Sequence, residues 1–332
     1  MRSIAFLSAF VLAVVLGACQ LGQPGATGRP VSLTVGLGYL PSVQFAQFYR
    51  AQQQGYYREL GLEVTFENRI DPDLITLVGQ GAIDLGMGDG TSVIAAVGQG
   101  IPVRYAATIY ARFPSVVYAP ADSGITVPAD LEGRSLGIPG RFGSSWIMLQ
   151  AMLASAGLTP DDLDVRLYPD FGQMVGLRER QVEAATGFAN NEPVQLELEG
   201  FPVNVLRVDE ITPLPGPGLV VGAATLRDKA PALRAFVAAT LRAMEEIAAD
   251  PTLGLDAAVV AVPELEQDRT RQLAVLEATI EMWHSPYTLE HGLGAIDRGA
   301  WAESIDFVGT LPDMEVPSPA MLDDYLTEEL LP

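Results

Sequence analysis

The stretch Gly81–Gly100, GAIDLGMGDGTSVIAAVGQG, decides how the rest of the chain is read. Ile83 to Met87 is a short apolar run broken by aspartate and glycine, too brief for a stable helix, and it predicts a buried strand. Gly88, Asp89 and Gly90 predict a tight loop. Thr91 or Ser92 is then a candidate cap for a helix whose apolar face is Val93 to Val97 and whose stop is Gly98 with Gly100. A strand running into a helix start leaves unpaired backbone N–H groups at the C-terminal edge of a sheet, where open α/β sheets bind small molecules.

The same alternation extends both ways from this unit. Before it, Val31 to Gly38 predicts a strand, Ser42 to Gly55 a helix, Leu62 to Phe66 a strand and Asp71 to Gly79 a helix. After it, Val103 to Ile109 predicts another strand. Beyond the polar Pro120 to Pro128, strands are expected at Ser135 to Ile138, Val165 to Tyr168, Ala184 to Gly187 and Val203 to Val208. Helices are expected between them at Ser144 to Gly157, Gly172 to Glu179 and Glu192 to Gly200. Such alternation predicts an α/β fold with mainly parallel sheets flanked by helices. The second set begins and ends in breaker-rich stretches, the later being Thr212 to Gly218, so it reads as an inserted lobe reached by two crossings. Lobe 1 is then 31–118 plus 213–332 and lobe 2 is 119–212. The last third predicts amphipathic helices at Pro231 to Ala249, Thr270 to Trp283 and Ala300 to Val308.

The beginning of the chain carries a different message. Arg2, the apolar run Ile4 to Leu16, and Gly17-Ala18 before Cys19 fit a signal peptide over 1–18, too short to span a bilayer. Cys19 is the only cysteine, which excludes an intrachain disulfide. Residues 19–30 are rich in Gly, Gln and Pro and predict a flexible tether. The 332 residues carry a formal charge of −21, or −22 without Arg2, because residues 1–18 contain no acid. So acidic a chain argues against nucleic acid or an anionic membrane surface as a partner.

Motifs for catalysis are scarce. His284 and His291 are the only histidines, their spacing is not that of a zinc site, and no metal is expected. There is no nucleophile elbow and no phosphate-binding Walker loop, and Gly36-Leu37-Gly38 lacks the third glycine of a dinucleotide fingerprint. What recurs is a pairing of aromatic with small polar residues at predicted strand ends. Tyr39, Gln44 and Phe45 follow the first strand, and Tyr110 with Arg112 follows Val103 to Ile109. GRFGSSW at 140–146 sets Phe142, Ser144 and Trp146 around a helix start; Asp170-Phe171 and FANNEP at 188–193 follow two further strands. A planar ligand would stack on such rings while Asn, Gln and Glu side chains read its edge.

These segments resemble the solute-binding lipoproteins of bacterial ABC importers, in the branch that takes thiamine-pyrimidine precursors and related heteroaromatics. The resemblance is carried by QFYRAQQQGYYRELGLEV at 47–64, GAIDLGMGDGTSVIAAVGQGIPV at 81–103, LEGRSLGIPGRFGSSWIMLQAMLASAGL at 131–158 and FANNEPVQLELEGFPVNVLRV at 188–208. It implies a two-lobed periplasmic-binding-protein-like fold of type II, lipid attachment at Cys19, anchorage on the extracytoplasmic face of the cell membrane, and delivery as a monomer to a permease with its ATPase. No cofactor and no enzymatic turnover are implied. The expected ligand-binding residues are Tyr39, Gln44, Phe45, Asp89, Thr91, Tyr110, Phe142, Ser144, Trp146, Phe188, Asn190 and Glu192. Riboflavin is the first expected ligand and the thiamine pyrimidine the second. A receptor for alkanesulfonates would need Arg112 or Arg141 in the cleft, and a pyrimidine-synthesis enzyme on the same fold would need a histidine-rich site.

Overall fold

The computed structural model describes residues 29–70, 73–312, 314, 316 and 321–332. Cys19, the leader and the tether up to residue 28 lie outside them. The chain forms two sheets of five strands. The first holds β1 (Val31–Leu37), β2 (Leu62–Asn68), β3 (Leu85–Asp89), β4 (Val103–Thr108) and the late strand β10 (Pro217–Gly222), in the order β2-β1-β3-β10-β4. The second holds β5 (Ser115–Pro120), β6 (Ser135–Ile138), β7 (Asp164–Leu167), β8 (Ala184–Phe188) and β9 (Val203–Arg207), in the order β7-β6-β8-β5-β9.

Each sheet is parallel except for one strand. β10 pairs antiparallel with β3 and β4, and β5 pairs antiparallel with β8 and β9. The reversal has a simple cause: β5 and β10 are the strands by which the chain enters each sheet from the other. A chain leaving β4 at the edge facing the second sheet must enter that sheet from the facing edge and run away from it. The C-terminal edges of the remaining strands therefore all look into one gap. The two crossings lie side by side, with the amides of Ile109 and Tyr110 donating to the Pro217 carbonyl at 3.2 and 2.8 Å. Gly216 permits this approach, since a Cβ there would stand 2.4 Å from the Tyr110 carbonyl oxygen.

Helices cover both faces of the first sheet. They are α1 (Ala46–Gln54), α2 (Tyr56–Glu59), α3 (Asp73–Gly79) and α4 (Gly90–Gly98), joined from the end of the chain by α8 (Ala223–Ala249), α9 (Pro251–Ala261), α10 (Arg269–Met282), α11 (Pro286–His291), α12 (Arg298–Val308) and α13 (Leu322–Tyr325). The second lobe carries α5 (Gly143–Ser155), α6 (Gln173–Arg178) and α7 (Glu192–Leu198). Along β10, Leu219 and Val221 enter one apolar core while Val220 enters the other, as strand alternation requires. The second of these cores runs from Val93 and Tyr105 through Phe113 to Val117, Leu136 and Ile147, and so packs the two lobes together beside the crossings.

Several boundaries differ from the sequence reading. In the opening stretch the strand is Leu85–Asp89, and the helix begins at Gly90 with no loop between them. The carboxylate of Asp84 accepts from the Thr34 amide at 2.9 Å and from Lys229 Nζ at 2.7 Å, which holds the approach to β3 as a bend. Asp89, with extended backbone, takes the N-cap position in place of Thr91 or Ser92. β5 pairs within the second sheet, so the first crossing precedes residue 115 rather than falling at 118. β10 begins inside the Pro/Gly-rich stretch that read as a breaker. α8 starts eight residues before Pro231, because a kink at Lys229 (φ −125°, ψ 15°) accommodates the proline.

The close crossing yields a test of the fold. Gly216→Ala is expected to cost roughly 1–3 kcal/mol, since its methyl meets backbone that cannot rotate away. Urea unfolding measures this, and an unchanged midpoint contradicts the side-by-side arrangement.

Candidate ligand-binding cleft

The gap between the sheets is a cleft of about 930 Å³, counting its open mouth. From the first lobe it is lined by Tyr39 after β1, by Gln44 and Phe45 in a single 3-10 turn before α1, and by Met87 and Asp89 at the end of β3. Tyr110 and Pro217 add the crossings. The second lobe contributes Pro139, Phe142 and Ser144 between β6 and α5, Phe171 and Gln173 after β7, and Phe188, Asn191 and Glu192 between β8 and α7. Every one of these segments leaves the gap-facing edge of its sheet, as the strand directions dictate.

Two aromatic rings meet across the mouth. Tyr39 and Phe171 lie edge to face with centroids 5.2 Å apart. Phe171 has φ of 61°, a left-handed conformation that side chains seldom adopt. Burial, with the Glu192 charge nearby, holds the pKa of the Tyr39 hydroxyl well above the ordinary phenol value, against the opposing pull of the Asn191 side chain.

The acids of the cleft come from opposite lobes. Glu192 is 8% exposed, and its Oε2 accepts from the Phe188 amide at 2.8 Å. Burial pushes its pKa up to about 6 against that hydrogen bond. Gly187 makes room for it, since a Cβ there would stand 2.7 Å from Glu192 Oε2 and 2.8 Å from the Tyr118 ring. The Tyr118 hydroxyl is buried without a hydrogen-bond partner among the described residues. Burial likewise pushes Asp89 up to about 6, while a hydrogen bond with Ser144 of the other lobe pulls it down. The Ser144 oxygen accepts from the Ser115 hydroxyl at 3.2 Å. Gln173 donates to the Thr186 carbonyl at 3.1 Å and leaves its Oε1 buried and unpartnered.

Of the expected residues, Tyr39, Gln44, Phe45, Asp89 and Tyr110 line the cleft from one side, and Phe142, Ser144, Phe188 and Glu192 from the other. Three do not line it. Trp146 lies two residues beyond Ser144, roughly 200° further around α5 at 3.6 residues per turn. Its ring packs on the core and carries the Arg141 guanidinium at 5.3 Å. Thr91 is fully buried in the first turn of α4, because Asp89 occupies the cap. Asn190 is also fully buried behind the cleft, donating to Gln44 Oε1 at 2.9 Å and to Thr279 Oγ1 at 2.8 Å. It therefore joins the β8–α7 turn of one lobe to α10 of the other.

Met87, Pro139, Phe171, Gln173, Asn191 and Pro217 line the cleft without being among the expected ligand-binding residues. Phe171 and Asn191 stood in quoted strand-end stretches; the others belong to residue types that carry no signal of their own. Neither His284 nor His291 lines the cleft, and no described Lys, Arg or His does.

A carboxylate that holds its proton to about pH 6 when folded and releases it near pH 4 when unfolded makes the folded state bind more protons between those values. Its contribution to stability therefore falls as pH rises from about 4 to about 6. The ligand-free protein is expected to melt higher at pH 5 than at pH 7. Asp89→Asn with Glu192→Gln should flatten that decline and add on the order of 1 kcal/mol at pH 7. Melting curves across this range measure it, and an undiminished slope in the double variant contradicts the buried-acid assignment.

The chain matches the family model described as NMT1/THI5 like over residues 42–253. It is 31% identical to the riboflavin-binding protein RibY of Chloroflexus aurantiacus, across 95% of this chain and 91% of that protein. It is 24% identical to the formylaminopyrimidine-binding protein of Halalkalibacterium halodurans, across 96% of each. A 4-amino-5-hydroxymethyl-2-methylpyrimidine phosphate synthase of Saccharomyces cerevisiae is 26% identical across 71% of this chain and 73% of its own. In fold it is similar to the alkanesulfonate-binding protein SsuA of Xanthomonas axonopodis pv. citri, with TM-score 0.65, 18% identity, and 88% and 98% of the two chains covered. The two facing sheets, each with one reversed strand, are the two-lobed type II architecture of periplasmic binding proteins. By the extent of these matches, this chain belongs to the NMT1/THI5-like family.

Proposed function

We propose that the protein is the extracytoplasmic receptor of an ABC importer and that it captures riboflavin. The observation that carries this reading is the pairing of Tyr39, Phe45, Phe142, Phe171 and Phe188 with hydrogen-bond acceptors and no described cation in one cleft. Riboflavin is uncharged, its flat ring system suits aromatic walls, and its imide N–H and ribityl hydroxyls suit the oxygens of Glu192, Asp89 and Gln173. The 31% identity to RibY supports the same choice. Capture proceeds without chemical change, by closure of the lobes around the ligand. Delivery is to a permease with its ATPase, from a monomer tethered through lipid on Cys19.

The thiamine pyrimidine is the second reading, favoured by the formylaminopyrimidine-binding relative. An alkanesulfonate is a poorer fit. Arg112 pairs with Asp209 at 3.8 Å and Arg141 lies over Trp146, so neither supplies the cation that an anion needs. Turnover of the synthase kind is disfavoured because the two histidines stand away from the lining.

Fluorescence titration tests the reading directly. Riboflavin emission should be quenched saturably at micromolar protein, and competition by an aminopyrimidine without flavin quenching would reverse the order of ligands. Phe171→Ala should weaken riboflavin binding at least several-fold, given roughly 0.5–1.5 kcal/mol for an aromatic pairing beyond area burial. Trp146→Ala should leave it unchanged. A loss at Trp146 equal to that at Phe171 contradicts the placement of the ligand.

A further inference from the structure

Asp89 stands at the N-cap of α4, where an aspartate ordinarily accepts from an amide two or three residues on. It makes no such bond. Its carboxylate lines the cleft together with Ser144, in the first turn of α5 on the opposite lobe. α5 is 13 residues long, its own N-cap residue Phe142 offers no side-chain cap, and Gly143, Ser144 and Ser145 face the cleft. The positive end of that helix thus faces the same cleft as the Asp89 carboxylate. Glu192 brings a second carboxylate from the second lobe. The arginines next in sequence to the lining are engaged elsewhere: Arg69 with Glu67 at 2.9 Å, Arg112 with Asp209, and Arg141 over Trp146.

We infer that Asp89 and Glu192 set the charge specificity of the cleft, so that it admits the uncharged planar compound and rejects its phosphomonoester. The inference rests on the proposed flavin-like ligand and goes further by choosing among its chemical forms. A phosphomonoester carries close to two negative charges at neutral pH and needs a cation or free backbone N–H groups. In this cleft the lining offers no described cation, and the start of α5 shares the cleft with the protein's own Asp89 carboxylate. A phosphate entering would meet like charge from both lobes in a confined, poorly solvated space. Hydrolysis of the phosphate ester must then precede capture when the phosphorylated form is the one supplied.

The experiment compares riboflavin with flavin mononucleotide by fluorescence titration, using the mature chain at pH 7.5 and fixed ionic strength. The wild type is expected to bind riboflavin at least 100-fold more tightly than flavin mononucleotide. Asp89→Asn is expected to narrow that ratio at least tenfold through a gain for the mononucleotide, and Glu192→Gln to narrow it less. Equal binding of the two flavins by the wild type overturns the inference, as does a ratio unmoved in both variants. If the wild type binds neither flavin, the proposed ligand fails and a flavin-free measurement decides the charge assignment. Methyl phosphate should then raise the melting temperature of Asp89→Asn, relative to chloride at equal ionic strength, and leave the wild type unmoved. The absence of that gain overturns the inference.

Discussion

The side-by-side passage of two chain segments between the sheets is the constraint on which the rest of this structure depends. Because the amides of Ile109 and Tyr110 bond to Pro217, the strand leaving the first sheet and the strand returning to it meet at one line. Each sheet must then accept one strand running against the others. The consequence is geometrical. The loops that follow β1, β3, β6, β7 and β8 all emerge on the same side of their sheets and have nowhere to go but the common gap. A binding cleft is thus a product of connectivity before any side chain is chosen.

Side chains then decide what the gap holds. Its walls carry rings, and its polar groups include two desolvated carboxyls and the unpartnered amide oxygen of Gln173. Buried acceptors without donors are costly, and a ligand bearing N–H and O–H groups relieves that cost while an anionic one adds to it. The same logic explains the cost of ionising Asp89 and Glu192 in the folded protein. Groups that weaken the empty protein at neutral pH gain partners when a suitable guest arrives, so part of the affinity is stored in the ligand-free state. Behind the rim, Asn190 ties Gln44 to Thr279 and fixes how the two lobes meet.

Much of this was legible in the chain, for identifiable reasons. β6 was read at its observed bounds, Ser135–Ile138, and most other expected elements begin within two residues of their place, because apolar runs and glycine stops are local signals. β5 and β10 escaped, because a strand whose partners lie on the other side of a crossing has no local signature. Pro217 and Gly218 in particular looked like breakers and pair with Asp89 and Gly88 instead. Strand ends pointed to the cleft correctly as segments, yet which residue faces it depends on helical phase. Ser144 and Trp146, or Asn190 and Glu192, sit two positions apart and face different surroundings. That phase is set by where α5 and α7 begin, which the sequence fixes only to within a residue or two.

The central claim is that one flat, uncharged guest sits between the rims of the two lobes. A crystal structure of the protein grown with riboflavin tests it most directly. The account predicts density for the ring system beside Tyr39, Phe142 and Phe171, with Glu192 within hydrogen-bonding reach of its edge. Flavin bound outside the gap, or lobes that enclose nothing at saturating flavin, would contradict it.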